Sequence, residues 1–237
     1  SFVTAKKTMS IFITGTDTGC GKTYISALLI HAIAMQGLRV AGMKPVATGA
    51  ERLQGKLIHE DDQILLKASN VALDQKLRNP YLFNPACSPH IAAIEANEPI
   101  CLEKILDAYE HCKAATDYLV VEGVGGWRAP LSSPDSVADL ATILGLPVIL
   151  VVGVKLGCIN HAVLTADAIK ASGLSFLGWV ANVLDPLMYD PGGNISYLES
   201  KIDAPLLMRF NYSGGVKGDT EAMNNFVKQI LILSDID

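Results

Sequence analysis

Short apolar runs without polar alternation recur along the chain. They are Ile11-Phe12-Ile13, Arg39 to Lys44, Asp117 to Glu122 with Tyr118-Leu119-Val120-Val121 inside it, Pro147 to Gly153, and Ser175 to Leu184. Runs of this kind suit strands buried on both faces. Between them, apolar residues fall at helical spacing. In Tyr24 to Met35 they are Ile25, Leu28, Leu29, Ala32 and Ile33. Further helices are predicted over Asp62 to Ala68, His90 to Ala96, Leu102 to Ala115, Ser136 to Leu144, Asn160 to Ala171 and Thr220 to Leu233. Strands separated by helices imply parallel crossovers. The expected architecture is α/β: a single domain, its mostly parallel sheet covered by helices on both faces. Thr48 to Glu60 is polar and reads as a loop. Asn79 to Pro89 holds three prolines and reads as irregular. Asp185 to Asn194, with two prolines and Gly192-Gly193, looks the least ordered. No internal repeat, low-complexity tract or linker divides the chain.

Composition narrows this picture. The chain has 237 residues, 50% of them hydrophobic, enough for one large domain or at most two small ones. A net charge of −5 argues against a nucleic-acid binder, which would show a basic face. No apolar run reaches membrane-spanning length, and Ser1 to Ser10 is not followed by the apolar core of a signal peptide. Ser1 is not an initiator, so residues 1–8 are expected to lie outside the fold. The five cysteines are odd in number and include no Cys-x-x-Cys pair, which favours reduced thiols and a cytoplasmic setting. The histidines show no metal-binding spacing.

The densest chemistry lies at Gly15-Thr16-Asp17-Thr18-Gly19-Cys20-Gly21-Lys22-Thr23, between the first strand and the first helix. Glycines let backbone N–H groups converge on an anion, and the helix start adds partial positive charge. Lys22 adds a full charge at a helix end where a cation is otherwise unfavourable, so the loop reads as a phosphate cradle of the P-loop NTPase type. Its first glycine, Gly15, stands one residue earlier than the usual spacing. Thr23 can offer its hydroxyl to Mg²⁺.

Other candidates sit at further strand ends, where open parallel sheets collect ligands. Glu122 closes a buried strand as a metal-holding acid does, and Gly123-Val124-Gly125-Gly126 then permits close backbone approach. Lys44 stands where a cation can neutralise a transferred phosphoryl group, with Thr48 four residues on. Asp61 and Asp62 are both candidate carboxylate ligands or helix-start acids. Gly157-Cys158-Ile159-Asn160 opens a helix that can take a carboxylate. Asn182 has the spacing to Asp185 of a base-reading motif, with adenine and guanine both open.

Together these residues resemble dethiobiotin synthetase. The resemblance rests on the Gly15–Thr23 loop, Lys44-Pro-Val-Ala-Thr-Gly49, Ser88-Pro-His90, Val121-Glu-Gly-Val-Gly-Gly-Trp127, Val151 to His161 and Gly178-Trp-Val-Ala-Asn182. It implies an ATP-dependent cyclo-ligase and a homodimer with the substrate site at its interface. Its substrates would be 7,8-diaminononanoate, CO₂ or bicarbonate, and ATP, with Mg²⁺ required. It implies that Lys22 and Lys44 are catalytic, and that Thr18, Gly19, Cys20, Gly21, Lys22, Thr23, Glu122 and Asn182 bind ATP, Asn182 at the adenine. It places Mg²⁺ on Thr23, Asp62 and Glu122. It puts the diamine against Thr48, Val124, Gly125 and Gly126, with its carboxylate on Gly157, Cys158 and Asn160 across the interface. The sequence departs from the family at Gly19-Cys20, which replaces an acid-containing pair, and at Thr48, where serine is common. Leu206 to Asn211 lacks a frequent proline. Partitioning switch ATPases instead carry lysine where this loop has Asp17.

Overall fold

Every residue of β1 (Met9–Gly15) after the first is buried, because side chains leave the strand into a packed core on either face. Ile11 and Ile13 enter one core and Phe12 the other. The computed structural model describes residues 8–212 and 220–233. The glycine loop follows β1 and leads into α1 (Lys22–Ala34). Next come β2 (Val40–Met43), β3 (Val46–Thr48), β4 (Glu51–Leu53), β5 (Lys56–Ile58), α2 (Glu60–Ala68), α3 (Gln75–Arg78) and β6 (Tyr81–Phe83). After α4 (Pro89–Glu95) and α5 (Leu102–Ala114) the chain enters β7 (Tyr118–Glu122), α6 (Val137–Leu144) and β8 (Val148–Val154). It ends through α7 (Cys158–Ala171), β9 (Phe176–Val183), α8 (Pro191–Lys201), β10 (Leu206–Phe210) and α9 (Thr220–Leu233).

The central sheet has the order β10-β9-β8-β1-β7-β2, and every pairing is parallel. Parallel order forces each connection to cross a face, so helices cover both sides. Helices α5, α6, α7 and α8 pack on one face, and α1, α2 and α9 on the other. Burial on both faces explains the unbroken apolar runs. Helix boundaries follow local chemistry. Ser136 and Asp139 form a reciprocal capping box at the start of α6, which stops at Gly145 with φ 63°.

Three stretches differ from the sequence reading. The polar segment Thr48 to Glu60 contains a two-stranded antiparallel hairpin, β4 with β5. Its side chains are mostly exposed, so no apolar alternation announced it. The proline-rich stretch contains β6, which pairs with β3 in parallel. The segment read as least ordered runs into α8, where Asp190 caps the helix and Pro191 takes a first-turn position that proline tolerates. Of residues 1–8, residues 1–7 lie outside the described residues, while Thr8 Oγ1 donates to the Thr116 carbonyl at 3.1 Å. Among the described residues, no helix is long and apolar enough to cross a membrane.

Candidate nucleotide and phosphate site

The ends of β8, β1, β7 and β2 stand side by side in the sheet, so four predicted positions share one rim. The loop after β1 turns back over the sheet because three glycines remove side chains where others lie. A Cβ on Gly15 would fall 2.3 Å from Cys20 Sγ, and one on Gly153 would fall 3.0 Å from Cys20 Cβ. Cys20 therefore packs beneath the loop, 1% exposed, and a larger or charged residue would not fit there. Gly21 has φ 99°, and a Cβ there would meet Asn182 Nδ2 at 2.2 Å. Asn182 Nδ2 donates to the Cys20 carbonyl at 3.0 Å. The second glycine loop lies against the first: a Cβ on Gly126 would sit 3.6 Å from the Gly15 carbonyl oxygen.

Lys22 Nζ donates to the Asp17 carbonyl at 3.0 Å. Burial pushes its ammonium below the usual lysine value. Thr23 Oγ1 donates to Glu122 Oε1 at 2.7 Å. Glu122, at 0% exposure, is also held by Lys44, whose Nζ lies 2.6 Å from Oε1. Lys44 Nζ further contacts Asp61 Oδ2 at 2.8 Å and donates to the Gly123 carbonyl at 3.1 Å. Burial opposes the charge on Lys44, but Glu122 and Asp61 outweigh it and hold the ammonium above its usual range. Burial likewise opposes the charge on Asp61, and Lys44 overcomes it, so this carboxyl sits below its usual range.

The two neighbouring acids part company here. Asp61 lines the cavity and pairs with Lys44. Asp62, the residue that the resemblance put on the metal, points elsewhere, and both of its oxygens accept from Arg78 at 2.8 Å. Successive helical residues diverge by about 100°, so only one of the pair can face the cavity.

A cavity of about 730 Å³ is lined by Thr18, Gly19, Gly21, Lys22 and Thr23 of the phosphate loop, by Lys44, Thr48, His59 and Asp61, by Ala86, Cys87 and Ser88, and by the Val124–Gly126 loop. Glu122, at 0% exposure, stands behind Thr23 and Lys44 and does not line it. Cys20 and Asn182 stand behind the wall, under the loop. Gly157, Cys158 and Asn160 do not line it either. They open α7, with Gly157 at φ 92° and Leu156 beside it 91% exposed. His59 escaped the sequence reading. Its Nδ1 accepts from the Asp61 amide and its Nε2 lies 3.0 Å from the Thr48 carbonyl, so it caps α2 and ties the cavity's two edges. Histidine is not a usual cap, which left no signal to find.

The donor set suits Mg²⁺. Thr23, Asp61 and Glu122 carry hard oxygen donors, and Glu122 Oε2 is buried without a hydrogen-bond partner among the described residues. Two carboxylates and a hydroxyl match the way Mg²⁺ is held when phosphates and water complete its shell.

Solved structures share this fold across nearly the whole chain. A chain of the MinC:MinD cell division protein complex of Aquifex aeolicus is 15% identical with TM-score 0.61, over 94% of this chain and 96% of that one. The septum site-determining protein MinD of Pyrococcus horikoshii OT3, complexed with Mg-ADP, is 16% identical with TM-score 0.53, over 97% and 90%. A ParA family ATPase from Chlorobium tepidum TLS is 15% identical with TM-score 0.54, over 98% and 94%. The architecture is a P-loop NTPase-like fold. Residues 9–218 match the family model AAA_26, described as an AAA domain, and the chain belongs to that family, which includes dethiobiotin synthetase-like P-loop proteins.

Proposed function

We propose that the protein is a cytoplasmic, Mg²⁺-dependent cyclo-ligase that converts 7,8-diaminononanoate, CO₂ and ATP to dethiobiotin, ADP and phosphate. One observation carries the reading. Lys44, a buried cation, lines one cavity of about 730 Å³ together with the phosphate loop, Thr48 and the Val124–Gly126 loop.

In this reading one amine of the substrate adds to CO₂ and loses a proton, giving a carbamate. A carbamate oxygen attacks the γ-phosphorus, the bond to the β-γ bridging oxygen breaks, and ADP leaves. The second amine attacks the carbonyl carbon of the mixed anhydride, expels phosphate and closes the cyclic urea. No protein nucleophile is needed. The requirement is alignment and compensation of negative charge. Lys22 and the loop amides hold the triphosphate. Lys44 faces the oxygens that gain charge during transfer. Thr48 and the Val124–Gly126 loop hold the diamine. Bound Mg²⁺, held by Thr23, Asp61 and Glu122, would neutralise phosphate charge.

The start of α7 serves this site only from a second copy. Leu156 and Leu187, 91% and 90% exposed, lie in the segments that follow the paired strands β8 and β9, and a dimer contact there would cover them. The P-loop ATPase fold also admits a switch ATPase. Asp17 disfavours that reading: it stands where such loops carry lysine, and its carboxylate pairs with Lys155 at 3.7 Å.

The test supplies the diamino acid, isotope-labelled bicarbonate, Mg²⁺ and a panel of nucleotides, and seeks the labelled cyclic urea by mass. ATP hydrolysis without any urea would favour the switch reading and overturn this one.

A further inference from the structure

The buried ion pair between Asp62 and Arg78 has no part in the proposed reaction. Arg78 Nε donates to Asp62 Oδ1 and Nη2 to Oδ2, each at 2.8 Å, and Nη1 donates to the Leu73 carbonyl at 2.7 Å. The two side chains are 2% and 8% exposed, and neither lines the cavity. Moving two ions out of water costs free energy that their attraction at best returns, and apolar residues of similar volume often do as well or better. Stability alone is therefore a poor reason for this pair.

The pair does touch the frame of the site. The Lys44 amide donates to the Arg78 carbonyl at 2.8 Å, and the Lys44 carbonyl accepts from Asn79 Nδ2 at 2.6 Å. Both backbone polar groups of Lys44 thus hang on Arg78 and its neighbour. At the other end of the guanidinium, Asp62 lies in the first turn of α2, next to Asp61. Fixing Asp62 against Arg78 fixes the rotation of that turn. The rotation is the one that brings Asp61 Oδ2 to 2.8 Å from Lys44 Nζ. One residue thereby meets both sides of the Lys44–Asp61 contact, its backbone carbonyl on Lys44 and its guanidinium on Asp62.

We propose that Arg78 is a positioning residue. Through its fork on Asp62 it sets Asp61 against Lys44, and so sets how tightly a divalent cation is held beside a nucleotide's phosphates. The proposal rests on reading the cavity as a Mg-nucleotide site. It does not depend on which acceptor takes the phosphoryl group.

The experiment measures ADP affinity in Mg²⁺ and in excess chelator, together with the thermal midpoint, and needs no turnover. Two variants are compared with the parent: Arg78→Lys, and the doubly neutral Arg78→Met with Asp62→Leu. Lysine offers a point charge without the planar fork, so it cannot hold both Asp62 oxygens in one plane. In both variants, ADP affinity in chelator stays as in the parent. The extra affinity that Mg²⁺ confers falls on the order of tenfold, the usual effect of losing a residue that orients a metal ligand. The double variant separates positioning from packing, because it removes the unpaired charge and keeps apolar volume. If it melts at or above the parent temperature and keeps the full Mg²⁺ effect, the clamp is only packing and the proposal is overturned. If the double variant does not fold, Arg78→Lys decides by the same measure, and a full Mg²⁺ effect there overturns the proposal. A parent protein whose ADP affinity ignores Mg²⁺ would overturn both the cavity reading and the clamp.

Discussion

Replacing Lys44 with methionine tests the electrostatic centre of the site. Methionine keeps most of the volume and removes the charge. Glu122, at 0% exposure, then keeps the Thr23 hydroxyl as a donor and loses the cation 2.6 Å from its Oε1. Asp61 loses its partner at 2.8 Å. Removing one member of a buried pair costs about 3–5 kcal/mol, and for a chain of this size each kcal/mol is worth about 2–4 °C, so the melting temperature should fall by about 6–20 °C. Adding Glu122→Gln should return most of the loss, because the fully buried carboxylate is then gone and Asp61, 30% exposed, can still be solvated. The difference also has a pH window. Lys44 depresses the Asp61 carboxyl, so that contribution is present above the unfolded value near pH 4 and fades as pH falls through the lower folded value. Lys44 itself is raised, so its contribution is present below the unfolded value near pH 10 and fades as pH climbs through the higher folded one. Calorimetry on parent and variant should show the gap near its full size from about pH 4 to about pH 10 and shrinking on either side of that window. A variant melting within about 2 °C of the parent at pH 7 would refute the assignment of Lys44 as the counter-charge of a buried acid.

Lys22→Ala should weaken ADP binding by about 1.5–3 kcal/mol, the worth of a hydrogen bond to a charged group, and unchanged affinity by titration calorimetry would remove the phosphate site. Asp61→Asn should raise the Mg²⁺ concentration needed for nucleotide binding at small cost in stability, whereas Asp62→Asn should lower the melting temperature by leaving Arg78 buried and unpaired. A larger Mg²⁺ effect from Asp62→Asn than from Asp61→Asn would return the metal to Asp62. Asn182→Ala should weaken ADP and pyrophosphate alike if the amide braces the loop at the Cys20 carbonyl; a loss confined to the base-bearing ligand would assign it to the base. Burial pushes the Cys112 thiol up to about 12, so at pH 8 it should resist maleimide while exposed Cys101 reacts, as peptide mass mapping would show. Prompt labelling of Cys112 in the folded protein would contradict that burial.

The central strands were readable because each is buried on both faces and so carries no polar alternation. The phosphate loop was readable because glycine spacing and Lys22 serve an anion wherever they stand between strand and helix. What stayed hidden depends on distance along the chain. Nothing near Arg78 shows that it meets Asp62, and two adjacent acids look alike until a helix gives them separate directions. The hairpin at Glu51–Ile58 is too exposed to carry a periodic signature. Pro191-Gly192-Gly193 reads as a breaker, yet Asp190 turns it into a helix start. Asn182 shows the opposite difficulty: its spacing suggests base recognition, while the fold uses its amide under the loop.

The ladder between β1 and β7 runs from Met9↔Tyr118 to Ile13↔Glu122. The strand that launches the loop and the strand that ends in the buried acid are therefore stitched together at the middle of the sheet. Their separation cannot relax without unzipping that seam, which opens only when the whole domain does. On warming, the hairpin rim should fray while the corner between Thr23 and Glu122 keeps its shape. Amide protons of Phe12 and Val121 would be among the last to exchange with deuterium.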